Sequence, residues 1–362
     1  NTATQLIRAP VLKEKISNFS CDSVICLNSV RHHQHIDLST AAFSEIRRDD
    51  CPKATGGQVT PSKDQQTQVS FIISVHGNDY MAAQAILELF RTADEAESAE
   101  FIVVDDGSLT ELFQVHYALR RMEHLFGTRV VIIRNGNRLG PLASNMKAAS
   151  IAKGHYLAFV NSDAYVLRGW LAVLLASFEQ FPDAGLVGPL FIQDKGIINE
   201  AGGIVFSDAF ANKYGVGNNI NHLYTYARSV DYISGAAVLV KRSAFQQVGG
   251  FKSIYGSGYY EDTDLAMSLR KSGYLIIYQP HSIVYHKHGS TFGEQMETLM
   301  KKNRVIFFNI WSAELNRTHC SRTTQLWVPA RRLMSPRLLW IDHRVPAYDY
   351  DSGSVRLLEI LK

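Results

Sequence analysis

The fold of this chain is decided by one stretch, Phe101–Ser108, which reads FIVVDDGS. A short apolar run that ends at a turn signal is typical of a strand buried on both faces. Asp105 and Asp106 then stand at its carboxyl end, the edge at which ligands bind in open α/β sheets. Two adjacent carboxylates are costly in an interior unless they are solvated, paired or metal-bound. A turn with a helix cap is the alternative interpretation.

Strands and helices alternate on both sides of this stretch. That alternation predicts a mostly parallel sheet covered by helices on both faces, with right-handed crossovers. The predicted strands are Val69–Val75, Phe101–Val104, Val130–Ile133, Tyr156–Val160, Gly185–Phe191, Ala236–Val240, Leu275–Tyr278 and Ser282–Tyr285. The predicted helices are Met81–Arg91, Leu109–Leu125, one that carries Asn145 and Met146, Trp170–Phe181, Arg242–Val248, Leu265–Lys271, Phe292–Asn316 and Val355–Lys362.

The composition is that of an ordinary globular protein. The 362 residues are 46% hydrophobic and 20% charged, with a formal charge of +3. Such a weak positive charge, without a basic cluster, argues against nucleic acid as a partner. The four cysteines are scattered, which favours a reducing compartment. We therefore expect a cytoplasmic location, with peripheral attachment at the inner face of the cytoplasmic membrane as the alternative.

The sequence lacks the common phosphate-binding signatures. It has no Gly-x-Gly-x-x-Gly after the first strand and no Gly-Lys-Ser/Thr loop, so a dinucleotide site or a P-loop ATPase is disfavoured. Acids follow the strands instead: Asp105 and Asp106 after one, Asp163 after another. Carboxylates at this edge suit a divalent cation, and a cation suits a diphosphate.

A second group of acids lies at Glu261–Asp264, after the glycine-rich loop 256–258. Acids at the start of a helix are favourable, so a capped first turn is one interpretation. Three acids within four residues exceed what a cap needs, and we expect a functional role. His286 follows a predicted strand and is a possible metal ligand, although its position alone does not decide this.

The motifs and their order along the chain resemble those of inverting glycosyltransferases of family 2, which have the GT-A fold. The resemblance covers Val69 to Thr291. It rests on Phe71–Val75, Val103–Ser108, Asn145, Asn161–Asp163, Ser234–Ala236, Gly249–Phe251, Glu261–Leu265 and Val284–His286.

The resemblance implies an α/β fold of the GT-A type, Rossmann-like, with a mostly parallel central sheet flanked by helices. It implies Asp262 as the catalytic base, and Asp163 with His286 as ligands of Mn²⁺ or Mg²⁺. The sequence departs from the family at Asn161, where the first acid of an Asp-x-Asp motif is usual. It departs again at Ser74–His76, in the first strand. The implied donor-binding residues are Val75, Asp105, Asp106, Asn145, Asn161, Ser162 and Asp163.

Four further residues are expected to contact the sugar or the acceptor. Aromatic faces can stack on pyranose rings, although core packing is an equal alternative for them. The set is Trp170, Gly235, Tyr260 and Glu261.

The implied function is transfer of a hexosyl or rhamnosyl group from a UDP-, dTDP- or GDP-sugar to a glycan or lipid-linked acceptor, with inversion. A bacterial surface polysaccharide such as O-antigen or capsule is the expected product. A sugar-nucleotide nucleotidyltransferase is one alternative. A catalytically silent sugar-binding module of a larger protein is the other, and Asn161 is its main support.

The chain divides into four expected segments. Residues 1–68 form an N-terminal extension and linker, and 69–292 form the GT-A domain. A helical segment follows at 293–336. Residues 337–362 resemble the start of a truncated second domain of the GT-B type, with a C-terminal helical hairpin as the alternative. We therefore expect a further glycosyltransferase domain in the same polypeptide.

Overall fold

The computed structural model describes residues 67–92, 98–286, 295–331 and 333. The strands of this part are β1 (Val69–Val75), β2 (Ala99–Asp105), β3 (Arg129–Arg134), β4 (Tyr156–Val160), β5 (Ala164–Val166), β6 (Ala184–Ile192), β7 (Ile198–Glu200), β8 (Gly203–Val205), β9 (Ala211–Lys213), β10 (Arg228–Ser229), β11 (Ala237–Lys241) and β12 (Leu275–His286). A ten-stranded sheet follows the order β10-β12-β6-β11-β4-β1-β2-β3, with β5 paired to β12 and β7 to β6. β8 and β9 form a separate pair.

Six helices of the described part join these strands, and a seventh follows the last strand. They are α1 (Asp79–Arg91), α2 (Phe113–Phe126), α3 (Pro141–Ile151), α4 (Trp170–Gln180), α5 (Arg242–Gln247), α6 (Glu261–Lys271) and α7 (Gln295–Thr318). Short 3₁₀ turns occur at Asp194–Gly196, Ser253–Tyr255 and Pro329–Arg331. Within the described ranges, no helix has both the length and the apolar character of a membrane span.

Helices cover both faces of the sheet. Phe90 of α1 packs on Phe101 of β2, and Phe245 of α5 packs on Phe159 of β4. Phe71 of β1 is in register with Phe101 of β2 and with Ala158 of β4, which directly precedes Phe159. Because successive side chains of a strand alternate between faces, Phe101 and Phe159 point to opposite sides. The sandwich of helix, sheet and helix that the sequence predicted is confirmed.

The topology gathers several loops at one edge. β1, β2, β3 and β4 are parallel, so Val75 and Asp105, which are in register, end at the same edge as Val160. β12 runs parallel to β6 and reaches this edge at His286. β11 is antiparallel to β4, so Gly235, which precedes it, also lies there. Every motif of the family resemblance that follows a parallel strand is therefore brought to one side of the sheet.

Helix α2 begins later than the sequence predicted. It starts at Phe113 and not at Leu109. Asp79 of α1 accepts hydrogen bonds from the N–H groups of Gln114 and Val115, at 2.8 and 2.9 Å. This carboxylate from another helix satisfies the donors of the first turn and thereby defines where α2 starts.

The two strands predicted at Leu275–Tyr278 and Ser282–Tyr285 are parts of the single strand β12. Its register with β6 shifts between Gln279 and Ile283, and Pro280 lies within that interruption. Proline has no N–H to give to a ladder, so an irregularity at this point lets one strand continue past it.

Other predictions fall partly or wholly outside the described residues. The helix predicted at Phe292–Asn316 is confirmed as α7 from Gln295 onward and ends two residues later than predicted, at Thr318. The extension and linker, apart from residues 67 and 68, lie outside the described part, and so does the segment 337–362. The second domain therefore stays a prediction.

Candidate active site

The turn after β2 is built tightly against the loop after β3. Asp105 Oδ1 accepts a hydrogen bond of 2.9 Å from the N–H of Ser108, and its Oδ2 lies 3.5 Å from Nη1 of Arg134. Gly107 has φ +66°, and a Cβ on it would lie 2.6 Å from the backbone N of Arg138. Only glycine permits this left-handed turn at such close approach. The Asp105 carboxylate is thus buried and held by its own turn.

Asp106 is the organising residue of the neighbouring loop. Its Oδ1 accepts hydrogen bonds from Asn135 (3.0 Å), Ser144 (2.9 Å) and the N–H of Leu139 (2.8 Å). Its Oδ2 accepts one from the N–H of Gly140 at 2.8 Å. Burial disfavours the charge, yet these hydrogen bonds hold the pKa of Asp106 below its usual value. The structure shows Asp106 fixing the loop 135–140, and its contact with a nucleotide stays a prediction.

Asp163 and His286 come together as the sequence predicted. β5 pairs antiparallel with the end of β12, with Ala164 opposite His286. Asp163 Oδ1 consequently lies 3.5 Å from Nε2 of His286, and the Asp163 side chain remains 18% exposed. Asn199 donates a hydrogen bond of 2.6 Å to the backbone carbonyl of His286 and so fixes the end of β12.

This pair supplies a carboxylate oxygen and an imidazole nitrogen, ligand types that Mn²⁺ accepts. In the described ranges, no group of three His, Cys, Asp or Glu side chains is placed to hold a metal ion. A cation at Asp163 and His286 would therefore need oxygen ligands from substrate or water. Mg²⁺ and similar hard cations commonly bind in that way beside phosphates.

Asp262 is the second residue of α6, where the helix dipole favours a negative charge. Its Oδ2 accepts a hydrogen bond of 3.1 Å from the N–H of Gly235. Its Oδ1 accepts two from Thr263, from the N–H at 2.6 Å and the hydroxyl at 3.1 Å. Burial raises the pKa of Asp262, although these hydrogen bonds and the charge of Lys213 lower it.

Glu261 precedes Asp262 and interacts with it strongly. Burial, reinforced by the charge of Asp262, raises the pKa of Glu261 to about 8. Two neighbouring acids that repel one another lose their protons in separate steps. The hydrogen bonds from Gly235 and Thr263 favour the charged form of Asp262 rather than of Glu261.

The backbone before α6 is strained. Tyr259 and Tyr260 have φ of 65° and 73°, values that non-glycine residues rarely adopt. Asn303 of α7 donates to three carbonyls of this loop, those of Tyr255, Gly258 and Tyr259, at 2.9, 2.7 and 2.9 Å. Such strain costs about 1–3 kcal/mol per residue and persists where surrounding contacts over-determine the conformation. Helix α7 thus holds the loop that presents Glu261 and Asp262.

The fourth residue of the acidic motif, Asp264, has an anchoring role. Its Oδ1 accepts hydrogen bonds from the hydroxyl of Tyr255 (3.0 Å) and from Nε1 of Trp311 (2.7 Å). Its Oδ2 lies 2.7 Å from Nζ of Lys252. Asp264 is 1% exposed and joins α6 to α7, so it supports the acidic motif without facing the site.

The prediction that Trp170 contacts a sugar is wrong. Trp170 is 1% exposed, and its indole N–H donates to the hydroxyl of Thr92 at 3.0 Å. The ring of Tyr260 is buried as well, against Phe307, and its hydroxyl donates to the carbonyl of Ala209. Neither ring presents a face to solvent, because the elements that carry them pack their apolar sides inward.

The other predicted residues line the same edge. The carbonyl of Val75 accepts a hydrogen bond from the N–H of Asp106 at 2.8 Å. The N–H of Asn161 donates to the carbonyl of Ala236 at 2.8 Å, next to Gly235. Asn145 on α3 and Ser162 in the turn after β4 are partly exposed.

Sequence reasoning missed one ion pair beside Asp262. Glu200 of β7 is 0% exposed, and its Oε1 accepts a hydrogen bond of 2.8 Å from the N–H of Ser234. Its Oε2 lies 3.4 Å from Nζ of Lys213 of β9. Burial raises the pKa of Glu200, and the charge of Lys213 lowers it. No sequence motif marks either residue, since each lies in a strand of three residues whose pairing depends on the whole fold.

Residues 70–249 match the sequence model of "Glycosyl transferase family 2". The chain carries a family 2 glycosyltransferase domain. Two relatives from Mycobacterium tuberculosis illustrate the similarity. A pre-mycofactocin glycosyltransferase is 24% identical over 275 residues, which cover 76% of this chain and 53% of the relative. An N-acetylglucosaminyl-diphospho-decaprenol L-rhamnosyltransferase is 31% identical over 149 residues, covering 38% of this chain and 48% of the relative.

The chain spans about half the length of these curated relatives. Among solved structures, GalNAc-T7 with UDP, GalNAc and Mn²⁺ aligns with a TM-score of 0.56 at 18% identity, covering 70% of this chain and 49% of GalNAc-T7. That similarity shows the fold. The predicted family and the predicted GT-A fold, with its mostly parallel sheet flanked by helices, are confirmed.

Proposed function

We propose that this family 2 protein transfers a sugar from a nucleotide-diphosphate donor to an acceptor hydroxyl with inversion, and that Asp262 is the general base. One observation carries the proposal. Gly235 holds the Asp262 carboxylate, while Ala236, the next residue, holds Asn161 at the start of the Asn161–Asp163 turn. The base and the segment expected to bind the diphosphate are therefore fixed by consecutive residues of one loop.

The environment of Asp262 suits proton abstraction. A base works best when its pKa lies near the operating pH, and burial moves the pKa of Asp262 in that direction. The hydrogen bonds from Gly235 and Thr263 orient the carboxylate. Asp262 would take the proton of the acceptor hydroxyl as its oxygen attacks C1 of the sugar. The C1–O bond to the diphosphate breaks in the same step, and attack from the opposite face inverts the anomeric configuration.

Asp163 and His286 would hold a divalent cation, Mn²⁺ or Mg²⁺. Their donor atoms fit such an ion, because one carboxylate oxygen and one imidazole nitrogen converge at 3.5 Å. When bound, the cation would neutralise charge on the departing diphosphate. Asn161, in place of a second acid, can offer only a neutral amide oxygen. The site therefore offers the cation one carboxylate, where an Asp-x-Asp motif offers two. We expect the cation to be held weakly.

The names of the similar proteins support the substrate class. GalNAc-T7 was solved with UDP, and the rhamnosyltransferase is named for a decaprenol-linked acceptor. We propose a UDP-, dTDP- or GDP-sugar as donor and a glycan or lipid-linked glycan of a bacterial surface polysaccharide as acceptor. A peripheral place at the cytoplasmic membrane accords with a lipid-linked acceptor.

A thermal-shift panel tests the donor class. The full chain is heated with UDP, dTDP and GDP, each with and without Mn²⁺. A ligand at 100 times its Kd stabilises the folded state by about 2.7 kcal/mol. We expect one nucleotide to raise Tm, and more so with Mn²⁺.

A transfer assay then tests the acceptor and the stereochemistry. The matching nucleotide-sugar is offered with a panel of lipid-linked and free glycans, and the anomeric configuration of the product is read by NMR. No shift with any nucleotide, or a product that retains the donor configuration, contradicts the proposal.

A further inference from the structure

A buried charge cluster lies behind the loop that holds the proposed base. The carboxylates of Glu200 and Asp262 accept hydrogen bonds from consecutive backbone N–H groups, those of Ser234 and Gly235, at 2.8 and 3.1 Å. Lys213 Nζ lies 3.4 Å from Glu200 Oε2, and its side chain is only 21% exposed. Two acids from different elements are therefore pinned to adjacent positions of one loop, with one ammonium beside them.

Ionised carboxylates packed this closely repel one another, and burial weakens their screening by water. Burial raises the pKa of both Glu200 and Asp262, and the positive charge of Lys213 lowers both. Among the described residues, the titratable groups that interact electrostatically with Asp262 include Glu200 of β7, Lys213 of β9, Tyr232 before β11, and Tyr260 and Glu261 at the start of α6. Lys213 is the cation of that set, and all the other members are neutral or negative.

We propose that Lys213 is a positioning residue: held 3.4 Å from Glu200, behind the loop residues Ser234 and Gly235 that bind the two carboxylates, its ammonium favours the carboxylate form of the base Asp262. The inference rests on the proposed role of Asp262 as general base. The pair does not touch the reacting atoms in this scheme. The buried carboxylate of Glu200 has a second role. It accepts a hydrogen bond from the N–H of Ser234 and thereby fixes the loop on which Gly235 lies.

Two substitutions separate this role from simple structural support. In the pH profile of kcat/KM, the acid limb is the fall in activity at low pH as the base becomes protonated. Lys213→Met removes the cation and leaves the carboxylates, so this acid limb moves to a pH roughly one unit higher. Glu200→Gln keeps an acceptor for Ser234 and removes one acid, so the acid limb moves no higher than in the unaltered protein. Lys213→Arg keeps the charge and restores the original profile.

A control comes from the far edge of the sheet. Arg129 lies 3.2 Å from the buried carboxylate of Glu100, at the opposite end of β2 from Asp105. Arg129→Met breaks a comparable ion pair and leaves the acid limb in place. An acid limb unmoved by Lys213→Met, or one raised equally by Glu200→Gln, overturns the proposal.

Lys213 also lines a groove of about 680 Å³ together with Tyr214 and Trp327. A rival role for Lys213 is therefore contact with a substrate. That role predicts that Lys213→Met raises the KM of donor or acceptor while the acid limb stays in place, a result that also overturns the proposal.

A second measurement needs no turnover. A carboxyl with a raised pKa in the folded state stabilises that state as pH falls through the raised value. Lys213→Met therefore enlarges the difference between Tm at pH 5 and Tm at pH 8, and Lys213→Arg does not. If the unaltered protein shows no transfer, the proposed function fails, while the Tm difference still tests the pair. An unchanged Tm difference in Lys213→Met overturns the pair itself.

Discussion

Asp262 accepts a hydrogen bond of 3.1 Å from the backbone N–H of Gly235. The contact joins the start of a helix to the loop before an antiparallel strand, two regions distant in sequence. Because the carbonyl of Ala236 accepts from the N–H of Asn161, the same loop also fixes the turn that carries Asp163. A small rearrangement at residues 234–236 would therefore move the base relative to the proposed diphosphate site.

The first prediction concerns the base. Asp262→Asn keeps an oxygen for the donors of Thr263 and removes the proton acceptor. We expect transfer to fall by about 10²- to 10⁴-fold, the usual contribution of a general base. Nucleotide binding, measured by thermal shift, should be preserved. Glu179→Gln, an exposed acid-to-amide change at the end of α4, is the matched control and should retain activity. Normal turnover by Asp262→Asn would show that another group takes the proton.

The second prediction concerns Glu261 and pH. Its folded-state pKa of about 8 lies above the ordinary value of 4.5. The protonated carboxyl therefore stabilises the folded protein at low pH, and this contribution is lost as pH rises from about 4.5 through about 8. Glu261→Gln cannot titrate, so its Tm should fall less than that of the unaltered protein between pH 5 and pH 9. Parallel Tm curves for the two proteins would contradict the raised pKa.

The sequence predicted the elements whose chemistry is local. Phe101–Ser108 forms a buried strand and a tight turn because its apolar run and its glycine leave few alternatives. Such features depend on patterns that neighbouring residues carry themselves. Asp163 follows β4 and His286 ends β12 at the same edge of the sheet, as the predicted strand order implied, but the 3.5 Å approach of their side chains depends on the pairing of β5 with β12.

The sequence could not predict features that depend on distant packing. A tryptophan at a helix start gives the same pattern whether its ring faces solvent or the core, and Trp170 faces the core. The pairing of Glu200 with Lys213 requires the short strands β7 and β9 to meet. Asn303 was missed for a similar reason, because its three carbonyl partners come from a loop distant in sequence.

The third prediction concerns the cation. His286→Ala removes one of the two proposed ligands and should abolish the part of the nucleotide-induced Tm shift that depends on Mn²⁺. The shift without Mn²⁺ should stay, because the nucleotide contacts are separate. His281→Ala, an exposed histidine on the same strand, is the matched control. An equal loss in both variants, or a retained Mn²⁺ effect in His286→Ala, would place the ion elsewhere.

The fourth prediction concerns the strained loop before α6. Asn303→Ala removes the donor to three loop carbonyls, and an unsatisfied buried polar group costs about 1–3 kcal/mol. The variant should lose stability in that range, and Tyr259 and Tyr260 should relax toward ordinary φ values. Since Glu261 and Asp262 follow directly, kcat should fall more than donor affinity. Asn309→Ala, at an exposed asparagine of α7, is the control for loss of an amide on that helix. A variant that is destabilised yet keeps its kcat would show that the strain of the loop is unrelated to catalysis.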